Sequence, residues 1–446
     1  MKSSPFQIIL LVGFGVVAVL AMLIFGGVLP GYKNKGGKSK NAVQLNFWGT
    51  LPAGGMNKTV SEFNKENNRE IRLTYSEKSP ASYLSDVTEA LASGSGPDFW
   101  ILSQDIVLKS RNKVHPISFE NYPERTFLDN FADISELLID EKNRAVSGIP
   151  FLIDPIVLFW NKDMFSSAGL SQPPEDWEEF AEVAETLTEK NDIGNIVQSG
   201  SALGEFNNIP DAKEILSMLL LQAGNKVIKE DARGNLKVVL AEEGSSGSKP
   251  AIDSFKFYGD FSNPNKTVYS WNKALMKADS MFAKGTLAMY LGYASEFPAI
   301  RAKNPHLNFD IAESPQIKGA KTKSVFGKLY FLALMRNSGE TAKINSFGAM
   351  ARMTSRVYSK KFSEATGLAS PRRDLLAEEA ESAYFGTVNK SAIMAKSWLE
   401  PEPEETRKIF KEAVEGITSG SLSVSGAVAL AKRKLDQSLS KVLANN

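Results

Sequence analysis

Val43-Gln44-Leu45-Asn46-Phe47-Trp48-Gly49 alternates apolar and polar residues, the period of a half-buried strand. The residues after it decide the fold. Met56, Val60 and Phe63 fall at helical spacing; Ile71, Leu73 and Tyr75 alternate again; Leu84, Val87 and Leu91 return to helical spacing, with Gly94 as a stop. Phe99–Leu102 is a short apolar run after Gly96-Pro97. Strand, helix, strand, helix, strand in this order predicts a parallel sheet covered by helices. In such sheets ligands gather beyond the carboxyl ends of the strands. That rule points to Trp48-Gly49-Thr50 and Ser103-Gln104-Asp105.

Outward from this unit, a second α/β region opens at Ile149. Val157–Trp160 reads as a strand. Asp176, with Glu179 three residues on, resembles a capping box, and Trp177, Phe180, Ala181, Ala184 and Leu187 form the apolar stripe of the helix it starts. Ile215–Ala223 is another apolar helix, and the tail from Ile409 to Leu443 is helical with a break near Gly416–Gly426. The length of 446 residues accommodates two domains after a leader.

Composition narrows the function. The formal net charge is +1, so the basic stripe of a nucleic-acid binder is not expected. There are no cysteines, which excludes disulfides, thiolate nucleophiles and a lipid-modified N-terminal Cys. The two histidines, His115 and His306, each adjoin a proline and read as loop residues. Neither a cofactor nor a metal site is expected.

Toward the N-terminus, Phe6–Leu29 is apolar and uncharged. As a helix it would extend about 36 Å, enough for a hydrocarbon core of about 30 Å. It is longer than the apolar part of a secretory signal. The reading is a stub (1–5), an uncleaved transmembrane anchor (6–29) and a flexible Lys/Gly/Asn tether (30–41), with cleavage after Val19-Leu20-Ala21 as the alternative. Lys33, Lys35, Lys38 and Lys40 follow the run and only Lys2 precedes it. Read literally, the positive-inside rule would leave the large domain in the cytoplasm.

Several segments resemble the bacterial extracellular solute-binding proteins of family 1, the group of the maltodextrin binders. They are Val43–Gly49; Gly96-Pro97-Asp98-Phe99-Trp100; Gly148-Ile149-Pro150 with Leu158–Phe165 and Ala168-Gly169-Leu170; Asp176–Glu179; Phe282–Gly285 with Ala288-Met289 and Gly292-Tyr293; and Thr366–Arg373. The resemblance implies a two-lobed, periplasmic-binding-protein-like (type II) α/β fold with hinge strands, behind the N-terminal helix. It implies crossings near Ile149–Asp154 and Leu329–Leu334. Lobe 1 would then combine 42–152 with 333–368, and lobe 2 would combine 153–332 with 369–446. It also implies an extracytoplasmic, membrane-held monomer that captures a small solute by hinge closure and delivers it to the permease subunits of an ABC transporter. That location overrides the lysine signal. A mono- or oligosaccharide is the expected solute. A polyamine, a glycerol-phosphate compound, a metal–anion complex, or a sensor or adhesin role are the alternatives. A glycosidase would need two carboxyl groups at a set separation; no motif pairs them, so an enzyme is not expected.

Sugars present apolar ring faces and rings of hydroxyls, so their sites combine aromatic platforms with planar polar groups. The candidate ligand residues, on the positions that match the family, are Trp48 and Thr50 at the first strand end, Ser103 and Asp105 after the third, Asp154 in the first crossing, Tyr293 and Glu296, Lys328 in the second crossing, Arg372, and the late aromatic Trp398. Asp154 could equally be a turn residue before Pro155, and Glu296 a helix-terminal carboxylate. Lys328 stands where a double glycine is common in the family, which suggests a phosphorylated or acidic sugar. Trp160, Trp177 and Trp271 are assigned to packing.

Overall fold

The computed structural model describes residues 42–67, 70–231, 234–244 and 247–444. The stub, anchor and tether expected over 1–41 lie outside the described residues. Among those described, no helix is long and apolar enough to cross a membrane.

The opening unit forms as its periodicity requires. Strand β1 (Val43–Gly49), helix α1 (Ala53–Glu66), β2 (Ile71–Glu77), α2 (Tyr83–Ala92) and β3 (Phe99–Ser103) succeed one another. β1 pairs in parallel with both β2 and β3. Leu45 and Phe47 face the core, and Phe47 stacks on Phe99 at 4.9 Å. The stripe of α2 is rotated from the expected one. Tyr83, Val87 and Ala90 are buried, and Leu84 is freed toward a cleft. The Tyr83 hydroxyl explains the rotation, for it lies 2.9 Å from the carbonyls of both Trp48 and Ile101, below the strand ends.

Two long strands hold the molecule together, β4 (Ile149–Asn161) and β8 (Val325–Met335). The sheet runs β2-β1-β3-β8-β4-β6-β5, where β5 is Ile196–Ser201, β6 is Leu287–Tyr293 and β7 (Phe309–Glu313) also pairs β4. β8 pairs antiparallel with β3 through Tyr330–Leu334 and with β4 through Gly327–Leu332. β4 changes partners partway: its first half pairs β8 up to Pro155, and from Ile156 it pairs β6. The sheet is therefore mixed, parallel among β1–β3 and between β5 and β6, and antiparallel where these strands cross.

The pattern gives a strand over Val157–Trp160 and the family resemblance a crossing near Ile149–Asp154, and the structure joins them in one strand of 13 residues. Proline lacks an N–H and is normally excluded from central strands. Pro155 is tolerated because it sits where β4 passes from one partner to the next. Helix α3 (Trp177–Thr186) starts on Asp176, whose Oδ1 accepts the Glu179 amide at 2.9 Å, as the capping pattern predicts. Trp177 and Trp271 are buried, with indole nitrogens donating to Gln222 and Asn208.

Candidate ligand-binding cleft

A cleft of about 1190 Å³ opens at the carboxyl ends of β1 and β3 and along β8. Its lining includes Thr50, Leu84, Ser103, Asp105, Lys213, Glu214, Lys328, Tyr330 and Arg407. It exceeds the volume of about 300–1,000 Å³ usual for small-molecule sites. A separate pocket of about 60 Å³ over Lys360–Asn389 is too small for such a solute.

The sequence candidates divide three ways. Thr50, Ser103, Asp105 and Lys328 line the cleft. The Ser103 hydroxyl donates to Asp105. Asp105 stands 4.0 Å from the Lys328 ammonium. Burial would raise the Asp105 carboxyl, but Lys328, Lys213 and the Ser103 hydroxyl outweigh it and hold it below its ordinary range.

Asp154 and Tyr293 are buried and Glu296 is half-buried, and none of the three is on the cleft lining. Asp154 is no turn residue. It is 3% exposed, sits opposite Lys328 in the ladder and accepts the Ser295 amide at 3.1 Å. Burial pushes its carboxyl up to about 6, against the Ser295 bonds and Lys328. Tyr293 is buried at the end of β6, and Lys328 lies 5.2 Å from its ring. Glu296 accepts the Tyr293 amide at 2.8 Å and the Tyr290 hydroxyl at 2.7 Å. It is thus the carboxylate of a capping box around Ala294–Glu296. Gly292 makes that approach possible, since a Cβ there would lie 2.6 Å from both Glu296 Oε1 and the Tyr290 ring.

Trp48, Arg372 and Trp398 are elsewhere. Trp48 is half-buried under the Lys78 ammonium, 3.8 Å from its ring centroid. Arg372 makes two 2.9 Å bonds to Asp374. Trp398 is 2% exposed, stacks on Phe410 and donates to Ser217. None of the three lines the cleft.

Four further lining residues are not marked by the sequence pattern. Tyr330 is two residues along β8 from Lys328, so strand periodicity alone puts it on the same face. It is the one aromatic on the lining among the described residues, and burial raises its hydroxyl to about 12. Lys213 and Glu214 occupy the first turn of helix α4 (Ala212–Gln222). Their one signal is a pair of opposite charges opening an otherwise apolar helix. Arg407 donates to the Pro210 carbonyl at 2.9 Å beside that turn.

Lys213 is anchored by Glu400, whose oxygens lie 2.7 and 2.8 Å from its ammonium, both side chains being almost wholly buried. Burial alone would lower Lys213, but Glu400, Glu214 and Asp105 outweigh it and hold it charged. Burial drives Glu400 the other way, up to about 7, with Lys213 opposing. Gln104 is the other strap. Its side chain accepts the Leu329 amide at 2.8 Å and donates to Ser397 at 3.1 Å, joining the end of β3 to β8 and to the chain before Trp398.

A mixed α/β sheet crossed by two long strands, with a polar cleft at its strand ends, is the arrangement of a protein that holds a small solute. The profile of the bacterial extracellular solute-binding protein family matches residues 58–385, and the chain belongs to that family. It is a family of binding proteins, not of enzymes. A binding protein of Brucella abortus (strain 2308) is 21% identical over 421 residues, 87% of this chain and 94% of that protein. The galactooligosaccharide-binding protein of Bacillus subtilis is 21% identical over 277 residues, covering 61% and 59%. Among solved structures, a cyclo/maltodextrin-binding protein complexed with maltotetraose superposes with a TM-score of 0.70 at 17% identity, covering 91% of this chain and 98% of that one. The sugar-binding protein MalE of Xanthomonas citri gives 0.69 at 18%, covering 90% and 98%.

Proposed function

We propose that this protein captures a carbohydrate in the cleft between two lobes and delivers it to the permease of an ABC importer. The observation that carries the reading is the lining itself. Thr50, Ser103, Asp105, Lys328 and Tyr330 place hydroxyl, carboxylate, ammonium and one aromatic face around a single space. Hydroxyl-rich solutes need that mixture of donors and acceptors, and charged partners make the stronger bonds. The sugar ligands named for similar proteins support the same reading.

The lobes would divide as 42–152 with 333–368 and 153–332 with 369–446, β4 and β8 carrying the hinge. A solute shifts such a pair toward closure only by its differential affinity for the closed state. Residues 6–29 would hold the protein at the outer face of the membrane, raising its local concentration at the permease.

The test is isothermal titration of the protein with malto-, galacto- and manno-oligosaccharides, then X-ray scattering with and without the ligand found. Saturable binding with a smaller radius of gyration is expected. No binding by any carbohydrate would overturn the sugar assignment.

A further inference from the structure

Among the described residues, three ion pairs have both partners on the cleft lining. Lys213 and Glu214 are chain neighbours, at 3.3 Å. Lys328 and Asp105, at 4.0 Å, are held near each other by the ladder between β8 and β3, where Tyr330 pairs Ser103. Lys109 and Glu402, at 2.5 Å, are joined neither by adjacency in the chain nor by a strand ladder. Lys109 is on the short helix Val107–Ser110 just after β3, and Glu402 is the residue before helix α5 (Pro403–Thr418).

Two stretches of equal length, 104–109 and 397–402, are tied at both ends. At one end Gln104, itself buried, donates to Ser397 at 3.1 Å and accepts the Leu329 amide at 2.8 Å, which fixes this end to β8. Further along, Leu399 shares the lining of a cavity of about 40 Å³ with Val107 and Leu108. At the other end stands the Lys109–Glu402 pair, its side chains 43% and 23% exposed. The Gln104 end is bound to a hinge strand and keeps its length when the lobes rotate. The ion pair is farther out, and rotation about the hinge acts on it first. Lys109 belongs to the lobe of 42–152 and Glu402 to that of 369–446.

We propose that Lys109 and Glu402 form a latch across the cleft: the pair holds the lobes closed, parts when a solute enters or leaves, and so slows release. The latch rests on the reading that this cleft is the solute site and on that division into lobes. Protein groups alone make it, so it favours closure whatever the solute. A partly exposed pair is worth a few-fold in an equilibrium and no more, which suits a protein that must also let its cargo go.

The chain has no cysteines. Spin labels at Lys58→Cys and Lys408→Cys, both exposed positions and one in each lobe, therefore read the lobe separation in the full chain by double electron–electron resonance. Lys109→Met and Glu402→Gln should each raise the population at longer distance about two- to fivefold. Salt at about 0.5 M should act in the same direction on the parent and little on the variants. The double variant Lys109→Glu with Glu402→Lys should return the parent distribution. In stopped-flow displacement of maltotetraose, each single variant should release the sugar about two- to fivefold faster, and the exchange of charges should restore the parent rate. No change of distance or of release rate in either single variant overturns the latch. So does a change that the exchange fails to restore, because each side chain would then act on its own. If maltotetraose does not bind, that result counts against the carbohydrate reading, and the label distances alone uphold or overturn the latch.

Discussion

Two regions of this protein are built from the same residue types and put them to different use. Over Arg356–Glu381 the charges lie at the surface. Arg356 bonds Glu378, Lys360 meets Glu381 at 2.9 Å, and Arg372 forks onto Asp374. Each has a partner, and every pair keeps at least one side chain more than 40% exposed. Beside the cleft, Lys213 and Glu400 are 5% and 1% exposed, and Glu214 lies 3.3 Å from the same ammonium. Burying charge is costly unless it is paired. The surface set can form or dissolve with little consequence, whereas the buried set persists only because the fold holds it in place.

The sharpest way to break this comparison is Glu400→Ala. It leaves the Lys213 ammonium buried with the more distant pairing to Glu214, at 3.3 Å, and the field of Asp105. Removing one partner of a buried ion pair costs about 3–5 kcal/mol, and that loss should appear in the denaturant midpoint. A loss below about 1 kcal/mol would place the pair with the surface set.

Asp105→Ala tests function rather than stability. Asp105 lines the cleft and is held ionised by Lys328, Lys213 and Ser103, which outweigh its burial. Losing a charge-assisted bond of about 1.5–3 kcal/mol should weaken solute binding by about tenfold or more in titration calorimetry. Affinity within twofold of the parent would remove Asp105 from the site.

The third effect is a pH slope. The folded carboxyls of Glu400 and Asp154 are raised by burial, to about 7 from 4.5 and to about 6 from 3.8. Between their unfolded and folded values the native state binds more protons than the unfolded one, so stability falls as pH rises. Asp105, held low, has the opposite sign, and its contribution is lost only below the ordinary carboxylate range. From pH 5 to 7.5 these two carboxyls should therefore cost the fold on the order of 4 kcal/mol. Melting temperature against pH should fall across this window, less steeply in Glu400→Gln. A rise would mean that Glu400 is ionised throughout.

How far the sequence speaks depends on the range of the interactions. The opening β1–β3 unit was legible because its periodicity is local, and the Asp176 cap because its partner is three residues away. The crossing at β4 came from the family resemblance and not from periodicity, and Asp154 before Pro155 could be read as a turn until the change of partner from β8 to β6 is seen. In the site, Thr50, Ser103 and Asp105 came from strand ends, and Lys328 from its place in the family. Lys213, Glu214 and Glu400 did not, because their meaning lies in a pairing across 187 residues. Trp398 shows the converse error. An isolated tryptophan at a family position reads as a platform, but here Phe410 and Ser217 claim both its face and its indole nitrogen.

Arg372 is where the smallest effect is expected and where resemblance and geometry part most clearly. The late arginine loop of the family suggests a ligand contact. In this chain both of its forked bonds go to Asp374, whose side chain is 42% exposed, and another reaches the Thr354 carbonyl at 3.4 Å. Pairs with an exposed partner are worth at most about 1 kcal/mol, because water and salt screen them. Arg372→Ala should therefore lower stability by less than that, with the difference shrinking further in about 1 M salt. Solute affinity should stay within about twofold, since Arg372 does not line the cleft. A tenfold loss of affinity would mean that Arg372 turns into the cleft when the lobes close on solute, and the division drawn between the surface charges and the buried ones would then hold only for the ligand-free arrangement.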